Sequence, residues 1–417
     1  MSNHPFRPLR RPEVRRLFTA AVVSDIGTWV QLIVVGSLVA RDTGSAVQTG
    51  LVALATFMPQ GFAAPFGGLL ADRYDRRKVF ALMLLLQALA TGALAVALGA
   101  GVRTPGVLIA LIMLSASAGA LGQPSYTAIQ PDLVPPDELM AMVSLVAYSW
   151  NSGRVLGPLL GTVLVSAVGP AWTVTFNAVT FVLMAVVVTR LHHPPHGHGA
   201  TDGTIGERLK DGWRSLWACP GCAHTLVLAM GINVLVIPFM GLIPIYAHSE
   251  FGGGTGLAGT IASAQGVGSL VGGMAVAVLG AKLRRSTLLG GQMVMLSACL
   301  ALYGLAPSAG AVVVAAALLG AASSSTIISL ISTLQRDAPA ASRGRVLSIF
   351  QALAGTTYGL GLLLLGSVGD ATDLRVSFVG GAAVSLSLCL LLAARLPGWR
   401  RAIDGATDGD ELALATA

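Results

Sequence analysis

Charge is what this chain has least of. Only 11% of its 417 residues are Asp, Glu, Lys or Arg, under half the roughly 25% of soluble globular domains. Water-facing surface cannot be covered with so little charge. The 54% hydrophobic content and a mean hydropathy of +0.75 point to lipid instead. Cysteine is also scarce: of Cys219, Cys222, Cys299 and Cys389, the last two lie inside apolar runs, so no disulfide framework is implied. A Walker phosphate loop is missing, and with it any sign of ATP as a driving force. Gly266-Val267-Gly268 sits inside an apolar run with no strand before it, so it is not a nucleotide loop. No cleavable leader is expected either. The first apolar run, Leu17 to Ala40, is too long for a signal core and no small-residue cleavage site follows it, so it reads as a span inserted uncut.

What is present is a recurrence of apolar runs, each long enough to cross a ~30 Å hydrocarbon core. They lie at roughly 17–40, 47–70, 79–99, 106–128, 140–167, 171–191, 223–247, 256–280, 287–306, 310–333, 345–368 and 374–396. Long apolar runs without alternation read as helices, not barrel strands. The pI near 9.6 suggests nucleic acid at first sight. The bases, however, form short clusters between apolar runs, so lipid and not nucleic acid is the expected partner. With the N-terminus cytoplasmic, 22 of the 26 Lys and Arg fall in cytoplasmic segments. Three, Arg41, Arg103 and Arg375, fall outside, and Arg154 lies within a span. That bias predicts a multi-pass protein of the cytoplasmic membrane with both ends inside.

The longest polar gap divides the spans six and six. The expected organisation is an N-terminal half (1–191), a cytoplasmic loop (192–218), a C-terminal half (219–397) and a disordered acidic tail (398–417). Ile205, Leu209, Trp213, Leu216 and Trp217 recur at helical spacing in the loop and predict an amphipathic helix on the membrane surface. The halves echo each other. Pro12, Arg16 and Asp25 fall on Pro220, His224 and Asn233, and Gln130-Pro131-Asp132 on Gln335-Arg336-Asp337. Such a repeat predicts two halves of like orientation.

One turn concentrates charge. In Gly67-Gly68-Leu69-Leu70-Ala71-Asp72-Arg73-Tyr74-Asp75-Arg76-Arg77-Lys78, six of the last seven residues are charged. Gly68-x-x-x-Asp72-Arg73-x-x-Arg76-Arg77 resembles the loop between helices 2 and 3 of the major facilitator superfamily, although that pattern carries Gly where this chain has Asp75. Its second-half counterpart, Lys282-Leu283-Arg284-Arg285, keeps the bases and lacks the acid. Gln123-Pro124-Ser125-Tyr126 and Asn151-Ser152-Gly153-Arg154-Val155-Leu156-Gly157-Pro158-Leu159-Leu160-Gly161 resemble the span 4–5 signature of a bacterial exporter branch, that of enterobactin exporters and transmembrane secretion effectors. Ser24-Asp25-Ile26-Gly27-Thr28-Trp29 and Phe239-Met240-Gly241-Leu242-Ile243-Pro244 are similar to the same branch. One departure stands out: span 4 has no charge, where many proton-coupled drug exporters carry Arg.

The resemblance implies an all-α membrane protein of twelve transmembrane helices in two parallel six-helix halves. It implies a secondary transporter and not an enzyme, with no cofactor. The expected activity is export of small amphipathic organic molecules (siderophore, secondary metabolite or drug), as a monomer exchanging them for protons. A nutrient importer or lysolipid flippase of the same fold stays open, and so does a non-transporting membrane sensor. Candidate cavity residues are Asp25, Trp29, Gln31, Gln123, Tyr126, Arg154 and Asn233. Asp25, roughly 12 Å into its span at 1.5 Å per residue, must be paired, hydrated or protonated. It is a coupling carboxylate or else a structural acid. Arg154 binds substrate, pairs with Asp25, or satisfies carbonyls freed near Pro158. Asp72, Arg73, Arg76 and Arg77 form a gating latch or simply set orientation. The Gly157–Gly161, Gly268–Gly272 and Gly355–Gly359 pairs, with Pro158, mark either a rocking interface or ordinary helix packing. Two signals are weak. The His192-His193-Pro194-Pro195-His196-Gly197-His198 stretch is broken and exposed, so no metal is assigned to it. Cys219-Pro220-Gly221-Cys222 has redox-motif spacing without a βαβ context.

Overall fold

The computed structural model describes residues 6–191, 213–214, 216–279, 284–338 and 343–395. Among them every regular element is helical. The long helices are α1 (Pro12–Thr43), α2 (Ala46–Phe57), α3 (Pro59–Arg73), α4 (Arg76–Gly99), α5 (Pro105–Ile129) and α6 (Leu139–Thr189). They continue with α7 (Pro220–Leu235), α8 (Phe239–Phe251), α9 (Thr255–Leu279), α10 (Arg285–Gly304), α11 (Ala309–Asp337), α12 (Arg343–Ala371) and α13 (Leu374–Arg395). The His-rich stretch, most of the amphipathic segment, the start of the second basic turn and the acidic tail lie outside the described residues. Trp213, Arg214 and Leu216 to Ala218 are helical.

Local chemistry sets the helix ends. Proline opens α1, α3, α5 and α7, where its missing N–H costs nothing. Ser45 and Ser308 cap α2 and α11 by accepting the N–H of Gln48 and Ala311. Gly44, at φ 61°, ends α1 in the left-handed conformation. Ten described helices are long and apolar enough to cross a membrane. The spans expected at 140–167 and 171–191 are the two helices of α6, which meet where Gly169 takes φ 80°, ψ 170° before Pro170. One departure from the expected spans has a clear cause. The span expected at 47–70 is divided into α2 and α3 at Met58–Pro59, where proline offers no N–H to the preceding turn.

The helices gather into two compact units, Met1–Asp202 with Gly241–Ser263 and Gly203–Met240 with Ala264–Ala417. In the first, Leu17, Phe80, Leu84, Tyr126, Met142 and Phe181 belong to one buried cluster, and Val35, Leu94, Leu98, Leu108 and Ile112 to another. In the second, Tyr303 is fully buried between Phe239 and Phe378, with ring centroids 5.6 and 5.4 Å away. Leucines and valines also crowd the outside, with Leu89 71% and Val96 72% exposed on α4. Apolar residues inside and out are what lipid contact selects.

Candidate functional site

Glycine brings α1 and α6 together. Gly153, Gly157 and Gly161 are four apart and share one face of α6. A Cβ added at Gly153 would lie 2.8 Å from the Asp25 carbonyl carbon. At Gly157 it would lie 2.5 Å from Trp29 Cβ, and at Gly161 2.9 Å from Ile33 Cγ2. Only hydrogen at these positions lets the α1 backbone settle into this groove. One turn before Gly153, Ser149 is buried and donates its hydroxyl to Asp25 Oδ2 at 2.5 Å. Asp25 is partly buried. Tyr126 of α5 is buried and stacked on Phe80 at 5.0 Å. Arg154 is half-buried on α6.

One turn beyond Asp25, Trp29 meets Trp150 of α6 edge-on at 5.5 Å and Phe57 of α2 at 6.1 Å. Trp29 is buried, and its Nε1 has no hydrogen-bond partner among the described residues. The first unit thus places a carboxylate, three aromatic rings and an unused N–H donor within about two turns of α1. Such a set can stack on an apolar organic molecule, accept a proton or a positive group, and donate one hydrogen bond.

Other candidates go elsewhere. Gln31 is buried and accepts from Asn177 Nδ2 at 2.8 Å, while Thr180 donates to the Asn177 carbonyl at 2.7 Å. This polar lock ties α1 to the second part of α6. Asn177 and Thr180 escaped the sequence reading, and their only signal was polarity within an apolar run. Gln123 is exposed on α5. Asn233, in the second unit, is half-buried and donates to the Ala229 carbonyl of its own helix at 2.9 Å.

In the basic turn Gly68 is half-buried with open space where a Cβ would be. Asp72 and Arg73 are exposed, and Arg73 sits over Tyr74 at 5.8 Å. Arg76 pairs with Asp132 at 3.8 Å. Arg77 donates to the Leu191 carbonyl at 2.5 Å and faces Asp75 at 3.5 Å. Asp75 caps α4, accepting from the backbone N–H of Arg77 at 2.9 Å and of Lys78 at 3.4 Å. Partial burial alone would raise its pKa, but those N–H groups and the Arg77 charge outweigh it and hold the carboxyl below its ordinary value. In the second unit Arg285 pairs with Asp337 at 3.4 Å, repeating the Arg76–Asp132 pair at the matching place. Nearby in the first unit, Glu138 is buried and takes Arg7 at 3.1 Å and Arg11 at 3.3 Å.

The glycine pairs divide their work. Gly157 and Gly161 face α1, and the neighbouring Pro158 carbonyl and Thr162 face Gly259 of α9. Ser263 donates to the Val155 carbonyl at 2.7 Å, and Thr162 to that of Thr255 at 3.1 Å. Gly268 and Gly272 lie against Ala317 and Ala321 of α11, within the second unit. Gly355 is half-buried and Gly359 buried on α12. No group of three metal-ligating side chains occurs among the described residues.

Residues 3–412 match the family model described as transmembrane secretion effector. The multidrug efflux pump Tap of Mycolicibacterium fortuitum is 26% identical over 92% of this chain and 94% of its own length. The enterobactin exporter EntS of Citrobacter koseri is 26% identical over 91% and 92%. In fold, the chain resembles the nucleoside transporter NupG (TM-score 0.74, 15% identity, 92% of this chain and 99% of that one). It also resembles a D-xylose-proton symporter (0.71, 14%, 91% and 97%). The chain therefore belongs to the transmembrane secretion effector family, efflux-type transporters of the major facilitator fold.

Proposed function

We propose that this transporter exports small amphipathic organic molecules by alternating access, in exchange for protons. The carrying observation is the Asp25 carboxylate, held by Ser149 and flanked by the Trp29, Phe57 and Trp150 rings. A carboxylate with one hydroxyl partner and partial exposure is free to take up and release a proton. Tyr126 on α5 and Arg154 on α6 are the other ionisable candidates in the first unit. The aromatic faces and the Trp29 N–H suit siderophores, secondary metabolites or drugs better than sugars, and the efflux pumps among the relatives support the outward direction. Twelve spans follow when α6 is counted as two at Gly169, α2 with α3 as one and α7 with α8 as one. The charge bias supports a place in the plasma membrane with both termini cytoplasmic; a monomer, and Asp72 acting as the latch acid of the basic turn, complete the proposal.

The test is uptake of candidate compounds into everted vesicles under an imposed pH gradient. The wild type is expected to be accelerated by a proton gradient directed opposite to the substrate. Asp25→Asn should lose that acceleration while binding is retained, and Asp72→Asn should slow turnover without abolishing coupling. A wild type indifferent to the gradient would sink the antiport reading. An Asp25→Asn variant with unaltered gradient response would remove Asp25 from it.

A further inference from the structure

The Cys219-Pro220-Gly221-Cys222 stretch takes a geometry that its spacing alone did not establish. Cys219 is the N-cap of α7, at φ −107°, ψ 104°, and Cys222 is the third residue of the first turn. Cys219 is partly exposed and Cys222 is fully buried beneath it. Residues three apart across a helix start are neighbours in space, inside the Cα range that a disulfide spans. Cys219 also donates its S–H to the backbone carbonyl of Asp337, at 3.5 Å. Asp337 ends α11, and its side chain holds Arg285 at the start of α10. The ends of three helices of the second unit therefore meet at one oxidisable pair of thiols.

We propose that Cys219 and Cys222 form a thiol–disulfide exchange site whose reaction partner is a small-molecule disulfide. The accessible sulfur is Cys219, so its thiolate attacks the disulfide RSSR, giving a Cys219–SR mixed disulfide and releasing RS⁻. The Cys222 thiolate then attacks the Cys219 sulfur, the S–SR bond breaks, and a second RS⁻ leaves. Two thiols of the protein lose two electrons and two protons, and RSSR takes both to become two RSH. In the oxidised form Cys219 has no S–H to give, so the Asp337 carbonyl loses its donor and the contact between α7 and α11 is loosened. The remaining cysteines, Cys299 and Cys389, are buried on α10 and α13 and serve as internal controls.

The test uses the full-length protein in detergent, equilibrated with glutathione and its disulfide in varied ratios. Remaining thiols are capped after denaturation with a heavy maleimide and counted by gel shift. The folded wild type should lose two of its four reactive thiols together. Cys222→Ser should lose one and gain the mass of one glutathione, located on Cys219, whereas Cys219→Ser should lose none. Serine keeps the size and the hydrogen-bond donor, and elution as a single species on size exclusion verifies the fold of each variant. Loss of thiols only from denatured chain, loss at Cys299 or Cys389 instead, or a folded Cys222→Ser that traps no glutathione would overturn the proposal.

Discussion

Asp75 stands where the resembled loop carries glycine, and the structure supplies a reason: it caps α4. Replacing a capping carboxylate with alanine costs about 1 kcal/mol, whereas glycine costs only a few tenths. Asp75→Ala should therefore lower the thermal midpoint in detergent clearly, and Asp75→Gly barely. The pH sign follows from the depressed carboxyl. The cap's contribution is fully present above the unfolded-state pKa and is lost as pH falls through the lower folded value. A midpoint measured against pH should thus drop more steeply in the wild type than in Asp75→Gly on the acid side of about 4. The departure from glycine was visible in the sequence. The cap was not, because in a run with six charges nothing singles out the carboxylate that turns back onto the backbone. Ser149 was missed for a similar reason, since a lone serine in an apolar run carries no signal until its partner is known. Removing its hydroxyl leaves Asp25 without its described hydrogen bond, so Ser149→Ala should shift the pH profile of transport while leaving expression intact.

At the scale of helices, the contact of α1 with α6 depends on three glycines, and Gly157 is the tightest. An alanine there drives a methyl into Trp29 and must push the helices apart, at a cost of about 1–3 kcal/mol. Gly68, equally prominent in the sequence, has open space beside it. Within α3, alanine should be neutral or should stabilise by up to about 1 kcal/mol. Thermal unfolding of Gly157→Ala and Gly68→Ala side by side checks the contrast, and equal losses would mean that the groove is not close-packed. The spacing of Gly157 and Gly161 was legible as a packing face. Their partner was not, because a four-residue repeat identifies a face of one helix and says nothing about which helix covers it. Gly153, the third member of the stripe, was hidden inside a run read for its polar neighbours. Span positions were the most legible feature, since length and apolarity set them directly. The break at Met58–Pro59 was harder to see because apolar residues continue on both sides of it, whereas the gap expected between 167 and 171 falls on Gly169.

Across the whole chain, the repeat seen in sequence fragments has a physical counterpart: Arg76–Asp132 in one unit and Arg285–Asp337 in the other. The basic turns and the Gln-x-Asp echoes were each read separately, and only three dimensions couple them. Both pairs are partly exposed, so solvent screening limits each to about 1 kcal/mol or less. The Arg285–Asp337 pair is shorter and more enclosed, so a double-mutant cycle on thermal stability should give it the larger coupling energy, and added salt should weaken the Arg76–Asp132 pair first. The same economy is carried furthest at Gly169, where one non-helical residue joins two stretches of α6. A connection of that length has no slack. A displacement at the joined end of either helix is therefore expected to reach the other. A protease or an antibody finds no loop to grip at that point, and a peptide tag inserted there would have to unwind a helical turn to make room for itself.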